Sequence, residues 1–91
     1  MKDIKEYIQT GEILKAIAHP VRLCIIRGLI HQQCNVTTMQ ECLHLPQSTV
    51  SQHLAKLKAA GIIQGERKGL EICYKVVNQQ VEEIIAVLFP S

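Results

Sequence analysis

The sequence predicts one mainly α-helical α+β domain, in which four helices are followed by a β-hairpin and a fifth helix. Three observations predict it. Apolar residues recur at helical spacing through most of the chain, prolines and a capping pattern divide that spacing into separate helices, and the period changes after Ile62 to that of two short strands. Ninety-one residues that are 47% hydrophobic can form one core and are too few for two domains.

The first two helices are separated by the dipeptide His19-Pro20. Helical spacing begins at Ile4, and Gly11 inside it could kink or split the helix, because glycine costs about 1 kcal/mol relative to alanine inside a helix. The residue before a proline disfavours the α region, so the first helix should end at this dipeptide. Pro20 then suits the first turn of a second helix that runs to about His31.

The third and fourth helices form the predicted helix-turn-helix. Thr37 and Gln40 have the spacing of a capping box, in which Thr37 is the N-cap of a short helix ending near Leu43. Pro46 can occupy the first turn of the next helix, and Gly61 stands where a left-handed residue ends it.

A hairpin and a last helix complete the order. Two β-prone segments lie on either side of Lys68-Gly69, and the glycine can supply the positive φ that a tight hairpin requires. Helical spacing returns from Val81 to Leu88, and Pro90 stops it. The complete order is that of a winged helix-turn-helix, with the hairpin as the wing, and it occupies residues 1–91 as a single domain.

The fourth helix has two unlike sides. At 100° per residue, Val50, Leu54 and Leu57 cluster in a narrow sector that should pack on the earlier helices, with His53 at its edge. The other side combines short polar and small apolar side chains, where a solubilising helix would carry Glu and Lys: Ser48, Thr49, Ser51, Gln52, Ala55, Lys56 and Ala59. Such a side can lie close against DNA, since Gln can bond adenine in the major groove and Ser or Thr can reach base edges or phosphates.

Charge and aromatic content indicate which nucleic acid would be bound. The net charge is only +2, but residues 46–77 hold five Lys or Arg against two Glu. One Phe, two Tyr and no Trp leave little on which unpaired bases could stack, so double-stranded DNA is favoured over single strands and RNA. The predicted DNA-binding residues are Gln47, Ser48, Thr49, Ser51 and Gln52 as groove readers, Lys56 on a phosphate, and Arg67 and Lys68 on the backbone or the adjacent minor groove.

Three stretches carry a family resemblance: LKAIAHPVRLCIIRGLI, LPQSTVSQHLAKLKAAGII and RKGLEICYKVVN. They resemble the ArsR/SmtB family of bacterial winged-helix repressors, and within it the PagR-type members that lack the metal sites. The resemblance covers nearly the whole chain. It implies a homodimeric repressor on a short imperfect palindrome, dimerised through the first and last helices, and the extra apolar positions of those two helices agree with a partner surface.

This sequence lacks the ligand residues of the metal sites that the family resemblance implies. Near the third helix, Cys34 is one position away from the family's first Cys ligand, and Asn35 stands in its place. On the last helix, Asn78 and Gln80 replace the family's Asp and His ligands. Thiolates and imidazoles suit a Zn²⁺-like ion in a tetrahedral site, and neither of the family's ligand sets is present, so no metal site and no cofactor are predicted, and no small-molecule ligand is identifiable. A repressor without a ligand is the default prediction.

A thiol or persulfide switch stays open as the alternative. Arg27 occupies the helix position where sulfur-sensing relatives carry a Cys, and the C-terminal FPS has none. Cys24 and Cys73 could nevertheless form a different redox pair, although a buried Cys is usually a small hydrophobe.

Other functional classes find less support. The chain has one Asp and no Gly-rich phosphate loop, and no nucleophile stands beside a base, so it is not predicted to be an enzyme. No apolar run approaches the ~20 residues of a membrane span, so we expect a cytoplasmic protein that does not bind membranes. The remaining rival is a winged helix used for protein interaction, which should show large apolar anchors on the fourth helix.

Overall fold

Four helices and a two-stranded antiparallel hairpin make up the part of the chain that this computed structural model describes, residues 3–31 and 43–90. The elements are α1 (Ile4–Ile17), α2 (Pro20–His31), α3 (Gln47–Ala59), β1 (Ile63–Lys68), β2 (Glu71–Val76) and α4 (Gln79–Leu88). Thus α3 and α4 are the fourth and fifth predicted helices. The predicted third helix, from Thr37 to about Leu43, lies almost wholly outside the described residues, so the described order contains four helices instead of five.

Helix α1 runs through Gly11 without interruption, so the expected split there is wrong. The helix starts at Asp3, whose carboxylate accepts a hydrogen bond from the backbone N–H of Lys5 at 3.4 Å. Its last residue, Ile17, is buried in the core. A penalty of about 1 kcal/mol for an internal glycine is small beside a capped start and a packed end.

The core lies where α2 and α3 face each other and is closed by β1 and α4. Its members are buried apolar side chains from every helix and from the start of the wing: Ile17, Ile25, Ile26, Leu29, Val50, Leu54, Leu57, Ile62, Ile63, Val81 and Ile85. The predicted buried sector of α3 is therefore confirmed. The three residues of that sector are less than 4% exposed, so this side anchors α3 to the core.

The wing, residues 63–76, packs against the core through Ile63, Tyr74 and Val76. Tyr74 pairs with Gly65 across the hairpin. A Cβ at position 65 would lie 3.0 Å from Tyr74 Cε1 and 3.0 Å from Ile72 Cγ2. Glycine at this position thus allows the Tyr74 ring to lie close to the β1 backbone.

Candidate nucleic-acid interface

Local sequence fixes where α3 begins and ends. Before it, His44 takes a φ of +56°, in the left-handed region, and turns the chain towards Pro46. The Pro46 carbonyl accepts the N–H groups of Thr49 and Val50 at 3.0 and 3.1 Å. Proline has no N–H of its own to satisfy, so it enters this helix start without losing a hydrogen bond.

A Schellman motif ends α3 and sets the direction of the wing. Gly61 has a φ of +75°, its N–H donates to the carbonyl of Lys58 at 3.0 Å, and the next N–H, that of Ile62, donates to the carbonyl of Leu57 at 3.0 Å. Both Leu57 and Ile62 are fully buried, so the turn is also held by an apolar contact. The predicted left-handed role of Gly61 is confirmed.

Most of the predicted groove readers are exposed to solvent on the outer face of α3. Exposed side chains on it are Gln47, Ser48, Ser51, Gln52 and Lys56. Thr49 differs because it is half-buried, at the boundary between the outer face and the core-facing side. Short hydroxyls and an amide standing on a helix that is anchored from behind can approach base edges closely. No basic residue lies in the first turn, whereas Lys56 and Lys58 lie in the last.

The tip of the wing presents the two predicted phosphate contacts. Lys68 and Glu71 form the last pair of the hairpin, which leaves a two-residue loop, and Gly69 supplies its positive φ of 65°. Arg67 and Lys68 are exposed. Leu70, the second loop residue, is 98% exposed and was not singled out from the sequence. The tip of the wing therefore carries two exposed positive charges next to one exposed apolar side chain.

A polar cluster behind α3 was also missed by sequence reasoning. Arg22 of α2 is buried, at 9% exposure, and lies beside His53 of α3, with Nη1 at 3.2 Å from the His53 Nδ1. The His19 ring packs on the His53 ring, with centroids 4.6 Å apart. Burial lowers the pKa of His53, and its electrostatic interactions with His19, Arg22 and Lys56 lower it further. The only sequence signal was the place of His53 at the edge of the apolar sector.

Neither the cysteines nor the positions that correspond to the family's metal ligands form a metal centre in the part of the chain that is described. Cys24 is an exposed free thiol and Cys73 a half-buried one. Within residues 3–31 and 43–90, no three His, Cys, Asp or Glu side chains come together in a way that could hold a metal ion. Asn78 instead caps α4, since its side-chain oxygen accepts the N–H of Val81 at 3.1 Å. Cys34 lies outside the described residues.

No helix among the described residues is long and apolar enough to cross a membrane.

Comparisons with known proteins agree on the class of protein. A family model described as a helix-turn-helix domain matches residues 17–66. The transcriptional repressor PagR of Bacillus anthracis is 49% identical over 81 residues, which are 88% of this chain and 81% of PagR. The crystal structure of PagR is similar with a TM-score of 0.86 at 44% identity, and the match covers 94% of this chain and 99% of that one.

Two further relatives extend the comparison. The repressor SmtB of Mycobacterium tuberculosis is 44% identical over 75 residues, which are 82% of this chain and 56% of SmtB. A homodimeric winged helix-turn-helix DNA-binding domain from Mycobacterium bovis, Mb0332, shares the fold with a TM-score of 0.83 at 24% identity, over 97% of this chain and 83% of that domain. PagR and SmtB are repressors, which confirms the prediction of a regulator that is not an enzyme.

Proposed function

Because the chain belongs to the ArsR/SmtB family of winged helix-turn-helix transcriptional repressors and is itself a DNA-binding repressor, we propose that it acts as a homodimer on a short imperfect palindrome. Each protomer reads one half-site with the outer face of α3 and grips flanking phosphates with the tip of its wing. Two-fold symmetry of the protein then mirrors the symmetry of the operator. This function puts the protein in the cytoplasm.

The observation that carries this proposal is the outer face of α3. Its exposed readers are uncharged and short, while the opposite side is fixed in the core by Val50, Leu54 and Leu57. Gln52, near the middle of the helix, can make two hydrogen bonds to adenine, and Ser48 and Ser51 can reach a base edge or a phosphate. Lys56 follows one turn later and suits a phosphate. This arrangement favours base readout over a general attraction to DNA.

The dimer is supported by an apolar groove of about 450 Å³ between α1 and α4. Ile13 and Leu14 line it from α1, and Ile84 and Val87 line it from α4. Val87 is 78% exposed in a single protomer. Contiguous exposed apolar surface of this kind is typical of a subunit interface, and a second copy of α1 and α4 would cover it.

Sedimentation velocity tests the dimer. We expect the wild-type protein to sediment as a dimer and Val87→Glu as a monomer, because the carboxylate would be buried without a partner. The matched control is Leu70→Glu at the wing tip, which makes the same kind of change far from the groove and should remain dimeric. A Val87→Glu variant that stays dimeric would move the interface elsewhere.

Fluorescence anisotropy tests DNA recognition. The probe is the promoter fragment upstream of the protein's own gene, and the control is a scrambled duplex of the same composition. We expect tight, salt-dependent binding with a clear preference for the promoter. Equal affinity for both duplexes would contradict the proposed sequence-specific recognition and would favour a winged helix used for protein interaction.

The thiol-switch alternative is separated in the same assay. Binding that survives mild oxidation supports a repressor without a ligand. If oxidation abolishes DNA binding and a reductant restores it, a thiol controls the binding. If the Cys24→Ser or the Cys73→Ser variant still binds DNA after oxidation, the replaced cysteine is part of that sensor. The exposed thiol of Cys24 is the observation that keeps this alternative.

A further inference from the structure

Three polar side chains from three parts of the chain meet behind the outer face of α3. His19 lies between α1 and α2, Arg22 is in the first turn of α2, and His53 is on α3 next to the predicted reader Gln52. The Arg22 Nε donates to the carbonyl of Ala16 near the end of α1, while its Nη1 faces His53 at 3.2 Å. One buried guanidinium therefore joins α1, α2 and α3.

The contact with Arg22 determines the protonation of His53. A guanidinium can only donate, so the His53 Nδ1 accepts and carries no proton. In this arrangement the His53 ring is neutral, with its proton on Nε2. The His19 Nδ1 accepts the backbone N–H of Val21 at 3.1 Å and so caps the start of α2.

The apolar contacts of α3 include no directional bond. Burial of Val50, Leu54 and Leu57 is non-directional as a driving force, so a hydrogen bond adds a restraint on the rotation of the helix that burial does not supply. Base readout tolerates little of that movement, because a bidentate contact requires two hydrogen bonds to be aligned at once. The Arg22–His53 bond is directional, and it acts at the residue that follows Gln52.

We propose that Arg22 and His53 are positioning residues for DNA recognition, and that protonation of the His53 Nδ1 breaks their contact and releases α3 from its reading position. The proposal rests on the proposed function. Protonation would place an N–H against a donor, and would put a second positive charge beside the buried guanidinium. DNA affinity should therefore fall at acidic pH.

The charged groups around His53 favour its neutral form. Burial and the nearby cations hold its pKa below the usual value of His. His19 faces it from the α1–α2 connection, Arg22 from α2 and Lys56 from α3 itself. From α1, Lys15 and Glu12 line an open cavity of about 430 Å³ together with Arg22 and Lys56. Only Glu12 among these groups would favour a protonated ring.

The expected sign is opposite to the general effect of acid on DNA binding. Protonation of exposed histidines adds positive charge to the protein and tightens its contact with phosphates. A loss of DNA affinity at low pH therefore means that protonation destabilises the conformation that binds DNA. When His53 is half-protonated in both protomers of a dimer, about one quarter of the molecules are competent, so the apparent Kd rises about fourfold.

The test measures Kd for the promoter duplex from pH 8 to pH 5.5 at constant ionic strength, by fluorescence anisotropy, with circular dichroism at each pH. We expect the wild-type Kd to rise as the pH falls, by about fourfold at the pH where His53 is half-protonated, while helix content is unchanged. His53→Asn puts an oxygen acceptor near the Nδ1 position and cannot be protonated in this range. It should keep the affinity of pH 8 and lose the acidic step. His31→Asn, at the exposed end of α2, is the matched control and should keep the step.

The outcomes separate this inference from the function on which it rests. If the wild-type protein shows no preference for the promoter at pH 8, the proposed function fails and the inference falls with it. If it binds selectively but shows no acidic step, or if His53→Asn keeps that step, only the inference is overturned. A step that coincides with loss of helix content would also overturn it, because His53 would then stabilise the fold without positioning α3.

Discussion

Replacing both Arg67 and Lys68 with alanine removes two exposed positive charges from the tip of the wing and leaves the core untouched. If each side chain neutralises one phosphate, the variant loses two contacts per protomer and four per dimer. Each contact contributes about 0.9 to the slope of log K against log salt, so the slope should become shallower by about 3.6. Between 50 and 200 mM salt, the ratio of the wild-type to the variant association constant should therefore fall about 150-fold.

The assay is fluorescence anisotropy at four or more salt concentrations, on the promoter duplex and on the scrambled one. Because phosphates carry no sequence information, both affinities should fall by a similar factor. Lys5→Ala, which removes one exposed charge near the start of α1, is the control and should leave the slope unchanged. An unchanged slope in the double variant would refute the phosphate role of the wing. A loss confined to the promoter duplex would mean that the wing reads bases.

Three further predictions concern α3. Gln52→Ala should cost about 1–3 kcal/mol in promoter binding and relax the preference at one base pair; unchanged selectivity in a binding-site selection experiment would exclude Gln52 as a reader. Leu57→Ala, at a fully buried position, should lower the free energy of unfolding by about 2–5 kcal/mol in urea denaturation, whereas the exposed Lys58→Ala should change it by about 0.5 kcal/mol or less. The lowered pKa of His53 means that the unfolded chain takes up this proton more readily than the folded one, so stability is complete above about pH 6.5 and declines as the pH falls below it. Calorimetry should show a smaller acidic fall in Tm for His53→Asn than for wild type, and equal falls would contradict this assignment.

The sequence determined the elements that depend on a few neighbouring residues. His19-Pro20 separates α1 from α2, Gly61 ends α3 in the left-handed region, and Gly69 turns the wing. Each follows from the steric limits of a short piece of backbone, which act in the same way in any fold. The buried side of α3 was equally predictable, because helical periodicity alone assigns residues to a face.

Other features were decided only when the elements packed together. The split expected at Gly11 is overridden by the cap and the packed end of α1, whose effects add up over the whole helix. Thr49 lies at the edge of the outer face, and the neighbours of α3 determine that it is half-covered. Periodicity assigns a direction to a side chain, and burial depends on what stands in that direction.

The Arg22–His53 contact shows this difference most clearly. Its two partners are 31 positions apart in the chain, and neither has an unusual local sequence. An arginine near the start of a helix is ordinarily exposed, and a histidine at the edge of an apolar sector is ordinarily half-solvated. Only the packing of α2 against α3 buries Arg22 and brings the half-exposed His53 ring within its reach, because a buried donor has to find an acceptor. Local backbone chemistry and helical periodicity thus determine the elements and the outer face of α3, while the tertiary structure decides which polar groups lie behind that face.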